Sequence, residues 1–240
     1  MKKFEVKDRF CERLIVALDF PDIASAKNLV DKLGDEVVFY KIGLELLMSG
    51  GYFELIDWLA KRNKKIFVDL KLFDIAKTIA KALKNLSQYP NIDLATIHCG
   101  NRQMMEEAAQ NKGVMRIVAV TILTNFDQND LSDLGFDQKI SLNDLVVKRA
   151  KLAHECGIDG VVASGFEAKS IRESIGNNFL IITPGVRLEA LKNDDQKRII
   201  DVKTAFKNGA NYIVVGRPIT LAADPKIIVQ KIQRDLIEIL

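Results

Sequence analysis

The chain has 240 residues, 48% hydrophobic and 28% charged, with 35 basic against 32 acidic side chains and a net charge of +3. That length suits one large domain over 1–240, and so mild a charge gives no electrostatic footprint for nucleic acid. Three cysteines without a CxxC spacing argue against a disulfide framework or a zinc site. No apolar run nears the roughly 18 residues that span a bilayer, so a soluble protein of the reducing cytoplasm is expected, with no membrane partner.

The N-terminal MKKFEVKDRF has lysines but no apolar stretch, and is not read as a signal peptide. Eight short β-branched runs then alternate with stretches of helical periodicity. The first, RLIVALD at 13–19, ends on Asp19. FPD follows it, which makes Asp22 the better cap for the helical IASAKNLVDKLG. VVFYKIG at 37–43 carries Lys41, and FELIDWLA places Trp58 as helix packing. The basic KRNKK at 61–65 reads as a solvated helix end. KIFVDLKL at 65–72 carries Asp69 and Lys71, with Asp74 and Thr78 just beyond. LATIHCG at 94–100 holds His98, read as a structural, hydrogen-bonded histidine. RIVAVTILT at 116–124 ends on Thr124, and GVVAS at 160–164 on Ser164. His154 falls in a helical pattern between them. FLIITPGV at 179–186 leads through Pro184 to Arg187, and YIVVGRPI at 212–219 contains Gly216 and Arg217.

The runs begin about 28 residues apart on average, room for one strand and one crossover helix. Near-continuous apolar strands suit a parallel sheet covered on both faces. Eight units predict an α/β fold of the (β/α)8 TIM-barrel type. A doubly wound sheet is the alternative, weakened because no GxGxxG follows the first strand. In a barrel the active site gathers at the C-terminal strand ends, and those ends hold the polar residues just named.

Strand alternation predicts that Asp69 and Lys71 share a face while Leu70 points away. Flanking carboxylates offset the cost of desolvating an ammonium, so Lys71 suits proton donation better than Schiff-base formation. Lys41 would extend the pattern to Lys41–Asp69–Lys71–Asp74. The plain alternative is a structural ion-pair network at a strand end. At the last two strands, Pro184–Gly185, Gly216 and Arg217 form a candidate phosphate site, since loops after these strands often bind phosphate. The polar run from Arg187 to Gln196 reads either as a lid over a ligand or as an ordinary exposed loop with Asp194 or Asp195 as a cap.

With those residues placed, VALD (16–19), YKIG (40–43), DLKLFDIAKT (69–78), TPGVR (183–187), DDQKR (194–198) and VVGRPI (214–219) carry a resemblance. In order along essentially the whole chain, they resemble the orotidine 5′-phosphate decarboxylase family. The resemblance implies a cofactor-free homodimeric barrel that converts orotidine 5′-phosphate to UMP and CO2, the last step of de novo UMP synthesis, with no metal. It assigns Lys71 as proton donor to C6 and Asp69 as the carboxylate beside the departing group. Lys41 would complete the charge network and, with Asp19, bind on the ribose side. Asp74 and Thr78 would reach into the neighbouring subunit's site. Thr124 would hold the pyrimidine, and Arg187, Gln196, Gly216 and Arg217 would mark the phosphate end. The chain departs from the family's commonest pattern at Phe73, Ala76, Lys77, Asn125 and the IHCGN turn (97–101).

Three other functions share parts of this pattern. A 3-keto-6-phosphogulonate decarboxylase shares DxKxxD but uses a divalent metal, for which no further carboxylate set stands out. A phosphosugar epimerase needs carboxylates on both faces of its substrate. A catalytically silent nucleotide-binding barrel would have no need of intact Asp69, Lys71 and Asp74.

Overall fold

The computed structural model describes residues 12–137, 139–187 and 200–239. Eight strands follow one another: β1 (Leu14–Ala17), β2 (Phe39–Gly43), β3 (Lys65–Leu72), β4 (Ile92–His98), β5 (Arg116–Val120), β6 (Gly160–Val162), β7 (Leu180–Thr183) and β8 (Tyr212–Val215). All pair in parallel with their chain neighbours, and β8 closes on β1 through Leu14↔Ile213, Ile15↔Val214 and Val16↔Val215. The predicted (β/α)8 barrel is the architecture found.

The helices are α1 (Ile23–Leu33), α2 (Leu44–Met48), α3 (Tyr52–Ala60), α4 (Ala76–Leu86), α5 (Arg102–Gln110), α6 (Gln128–Asp133), α7 (Leu142–Glu155), α8 (Ala168–Ile175), α9 (Val202–Lys207), α10 (Arg217–Thr220) and α11 (Pro225–Ile239). Several start on side-chain caps. Asp22 accepts the Ser25 N–H at 2.7 Å and Asn101 the Met104 N–H at 2.9 Å, each satisfying an amide that a helix start leaves open. Asp22, not Asp19, is therefore the cap of α1, which leaves Asp19 free for the barrel mouth.

Period two decides what the barrel encloses. Ile15, Phe39, Phe67, Leu94, Val118, Ile182 and Val214 face inward and fill its interior, while Val16, Tyr40, Val68, Ala95 and Ile213 face the helices. Two residues further along three of the inward columns, apolar gives way to polar: Phe39 to Lys41, Phe67 to Asp69, Leu94 to Thr96. The apolar plug thus forms the floor of a polar mouth.

At the opposite end, Arg116 donates to Asp93 at 2.6 Å and to the Tyr212 hydroxyl at 3.1 Å. The run at 61–65 is a solvated helix end at Lys61, Arg62 and Asn63, which are exposed, but not at Lys64. Lys64 is buried, and its ammonium donates to the carbonyls of Gly34 (2.7 Å) and Val37 (3.0 Å), stitching the end of α1 to β3. Trp58 packs against the core and lies under the Arg62 guanidinium, 3.6 Å from its ring centre.

The β3–β4 ladder slips near the mouth. Val68 pairs with Ala95 and the next pair is Leu72 with Ile97, so Asp69, Leu70 and Lys71 stand opposite Thr96 alone. Lys71 takes φ +48°, in the left-handed region that side-chain-bearing residues seldom adopt. Simple alternation therefore does not govern this stretch; a bulge does.

Candidate active site

A cavity of about 290 Å³ opens at the C-terminal ends of the strands. Its walls include Asp19, Lys41, Asp69, Lys71, Thr124, Pro184, Arg187, Gly216 and Arg217, every one proposed from sequence. Phe67, Val120, Val162 and Val214 supply its apolar floor, and Leu123 and Asn125 add to its rim. Gly185, beside Pro184, takes φ +73°, a conformation that favours glycine.

Within the cavity the charges form an ordered line. Lys41 Nζ donates to Asp19 Oδ1 at 2.8 Å and lies 3.5 Å from Asp69 Oδ2; Lys71 Nζ donates to the same Asp69 Oδ2 at 3.0 Å. Within the one chain the line runs Asp19–Lys41–Asp69–Lys71, and the chain's own Asp74 is not part of it. Asp74 lies beyond the bulge, exposed, accepting the Ile75 N–H at 2.6 Å. Thr78 is exposed as well, and neither Asp74 nor Thr78 lines this cavity.

Burial and pairing compete over these groups. Desolvation works against the charge on Asp69, yet Lys41, Lys71 and hydrogen bonds from Lys71 and Thr96 outweigh it and lower its pKa. Lys41 is likewise opposed by desolvation, but Asp69 and Asp19 raise its pKa overall. Both stay ionised at neutral pH. Among the described residues, Lys41 is held between two carboxylates while Lys71 pairs with one, and the Lys71 side chain is the more open, at 32% against 12%.

Thr96 is a further residue of the charged line, not among those predicted from sequence. It is fully buried two positions beyond Leu94, a spacing that points to this location. Its hydroxyl accepts the Lys71 N–H at 2.8 Å and donates to Asp69 Oδ1 at 3.0 Å. His98 sits edge-on to Phe73, ring centres 6.0 Å apart, outside the cavity lining. Burial lowers its pKa, helped by Lys71 and Arg149 and opposed by Asp69. His154 packs edge-on against Phe179. Gln196 and the DDQKR segment lie outside the described residues. Among the described residues, no group of three or more His, Cys, Asp or Glu is arranged to hold a metal ion.

A parallel eight-stranded barrel with ammonium and carboxylate groups alternating at its C-terminal mouth, in a cavity that Arg187 and Arg217 also line, has the architecture of a (β/α)8-barrel enzyme. The family model described as "Orotidine 5'-phosphate decarboxylase / HUMPS family" matches residues 12–232. The chain is 51% identical to the orotidine 5′-phosphate decarboxylase of Methylococcus capsulatus over 94% of its own length and 92% of that protein's. It is 52% identical, with the same coverage of both chains, to that of Stenotrophomonas maltophilia. Among solved structures it resembles the orotidine 5′-phosphate decarboxylase of Lactobacillus acidophilus, with a TM-score of 0.82 and 34% identity over 93% of this chain and 98% of that one. The chain belongs to the orotidine 5′-phosphate decarboxylase / HUMPS family, among its carboxy-lyases.

Proposed function

We propose that the protein converts orotidine 5′-phosphate to UMP and CO2 without a cofactor, as a cytoplasmic homodimer, with Lys71 as the acid. The observation that carries this reading is the Asp19–Lys41–Asp69–Lys71 line in one cavity with Arg187 and Arg217. Four basic and two acidic side chains line that cavity among the described residues, a balance suited to a substrate with a phosphate and a carboxylate.

In the reaction, the bond from C6 to the carboxyl carbon breaks, CO2 departs, and the electron pair stays on C6. Lys71 Nζ–H gives its proton to that carbon and regains one from solvent. An ammonium already fixed by Asp69 stabilises the developing charge without reorganising at the moment of reaction. Lys41, neutralised from both sides, serves to hold Asp69 and, with Asp19, to bind the ribose. Thr124 meets the pyrimidine. Arg187 and Arg217, with Pro184 and Gly216 beside them, take the phosphate, and Gln196 is assigned to the same end. Binding energy from that remote group lowers the barrier at C6 only if it is realised in the transition state.

Asp74 and Thr78 are assigned to the partner subunit's cavity. Their exposure, and that of neighbouring Phe73 (68%) and Ile75 (74%), supports a second copy covering this face. No helix among the described residues is long and apolar enough to cross a membrane, and Cys99 and Cys156 are free thiols, which fits the proposed setting.

The test is the fall in orotate absorbance when orotidine 5′-phosphate is added to chelator-dialysed protein, beside the phosphate-free nucleoside. Turnover of the nucleotide that survives chelation, with the nucleoside losing kcat as well as affinity, is expected. No turnover of the nucleotide, with divalent-dependent release of CO2 from 3-keto-6-phosphogulonate, would favour the phosphogulonate decarboxylase instead.

A further inference from the structure

We infer that Thr96 is a positioning residue for the reaction, its hydroxyl holding Lys71 in its left-handed backbone conformation and aiming the ammonium at the cavity. The inference rests on the decarboxylase reading above and deepens it by one residue.

The slip in the β3–β4 ladder deprives Lys71 of a strand partner for its N–H, since residues 69–71 face a single residue of β4. Thr96 Oγ1 takes that N–H at 2.8 Å. The same oxygen donates its own hydrogen to Asp69 Oδ1 at 3.0 Å, which leaves Oδ2 to receive both ammonium groups, at 3.0 and 3.5 Å. One hydroxyl therefore joins the backbone of the proposed acid to the carboxylate that orients its side chain. A group that both accepts and donates is required, which serine satisfies and valine or alanine does not. Thr96 is itself immobile: it is fully buried, its χ1 is restricted by β-branching, and Leu94 and His98 place it within a regular strand. A positive φ at a non-glycine residue persists only where the surroundings over-determine it, and Thr96 is the contact that does so here.

The experiment compares Thr96→Ser, Thr96→Ala and Thr96→Val with the wild type for kcat, KM, UMP affinity and hydrogen exchange at the Lys71 amide. Thr96→Ser should stay within about threefold of wild type. Thr96→Ala and Thr96→Val should lose kcat by roughly 10- to 100-fold, as small misplacements of a reacting group do, with KM and UMP affinity changing less than about threefold. The Lys71 amide should exchange faster in both, and not in the serine variant. Serine and alanine variants impaired alike, or an alanine variant with wild-type kcat, would overturn the inference. Should Thr96→Val not fold, the serine–alanine pair gives the same contrast. If the wild type itself fails to turn over the nucleotide, the decarboxylase reading falls alone. An unaltered Lys71 amide in Thr96→Ala would then still refute the positioning role.

Discussion

Replacing Asp69 with asparagine keeps the side chain's shape and removes the charge that two ammonium groups share. Asp69 Oδ2 lies 3.0 Å from Lys71 Nζ and 3.5 Å from Lys41 Nζ. At an effective dielectric constant near 20, each attraction amounts to about 5 kcal/mol. Desolvation offsets much of that, because the side chains of Asp69 and Lys41 are each only 12% exposed. Unpairing a buried ion costs about 3–5 kcal/mol. Lys71 remains partly open to water and Lys41 retains Asp19, so the lower end applies, about 3 kcal/mol. For a chain of this size that lowers Tm by roughly 6–12 °C. Thermal melts and urea titrations at pH 7 on Asp69→Asn and wild type measure it. A variant as stable as the wild type, or more so, would refute the reasoning. The line of charges would then be strained in the free protein, not self-stabilising.

Three further outcomes are expected. Asp69 has a lowered folded pKa, so its contribution is complete above its unfolded value and is lost as pH falls through the folded one. The stability gap between wild type and Asp69→Asn should therefore hold from neutral pH down to roughly pH 4 and shrink only below it; a gap closing by pH 6 would mean a raised pKa. A methyl group at Gly160 would collide with Cβ and the backbone carbonyl of Leu180 on the neighbouring strand, so Gly160→Ala should cost about 1–3 kcal/mol by urea titration, and a neutral substitution would contradict the packing. If Asp74 serves the partner's cavity, mixing inactive Lys71→Ala with inactive Asp74→Ala should restore about a quarter of wild-type activity, because a mixed dimer holds one intact site; no recovery would place Asp74 in its own subunit's site.

The barrel was legible because every strand repeats one pattern, an apolar run broken by a polar residue at its C-terminal end. Asp19, Lys41, Asp69, Arg187 and Arg217 followed from position on such strands, since each strand's end converges on one mouth. Lys71 was legible as a charge but not as a conformation. Nothing in VDLKLFD announces a positive φ, because the slip that produces it depends on how β3 meets β4. Thr96 was hidden for a related reason. A threonine in LATIHCG reads as an ordinary β-branched strand residue until its neighbours across the ladder are known. Lys64 shows the converse error. Within KRNKK it looks like solvated charge, yet two carbonyl groups 27 and 30 residues earlier in the chain hold it inside.

The most direct measurement of the central claim is the turnover of orotidine 5′-phosphate by Lys71→Ala, taken together with its affinity for UMP. The account predicts a variant that still binds UMP, with kcat lower by at least about four orders of magnitude, since it lacks both the proton donor and the fixed cation. A Lys71→Ala protein that decarboxylates the nucleotide at a rate near the wild type's would contradict it.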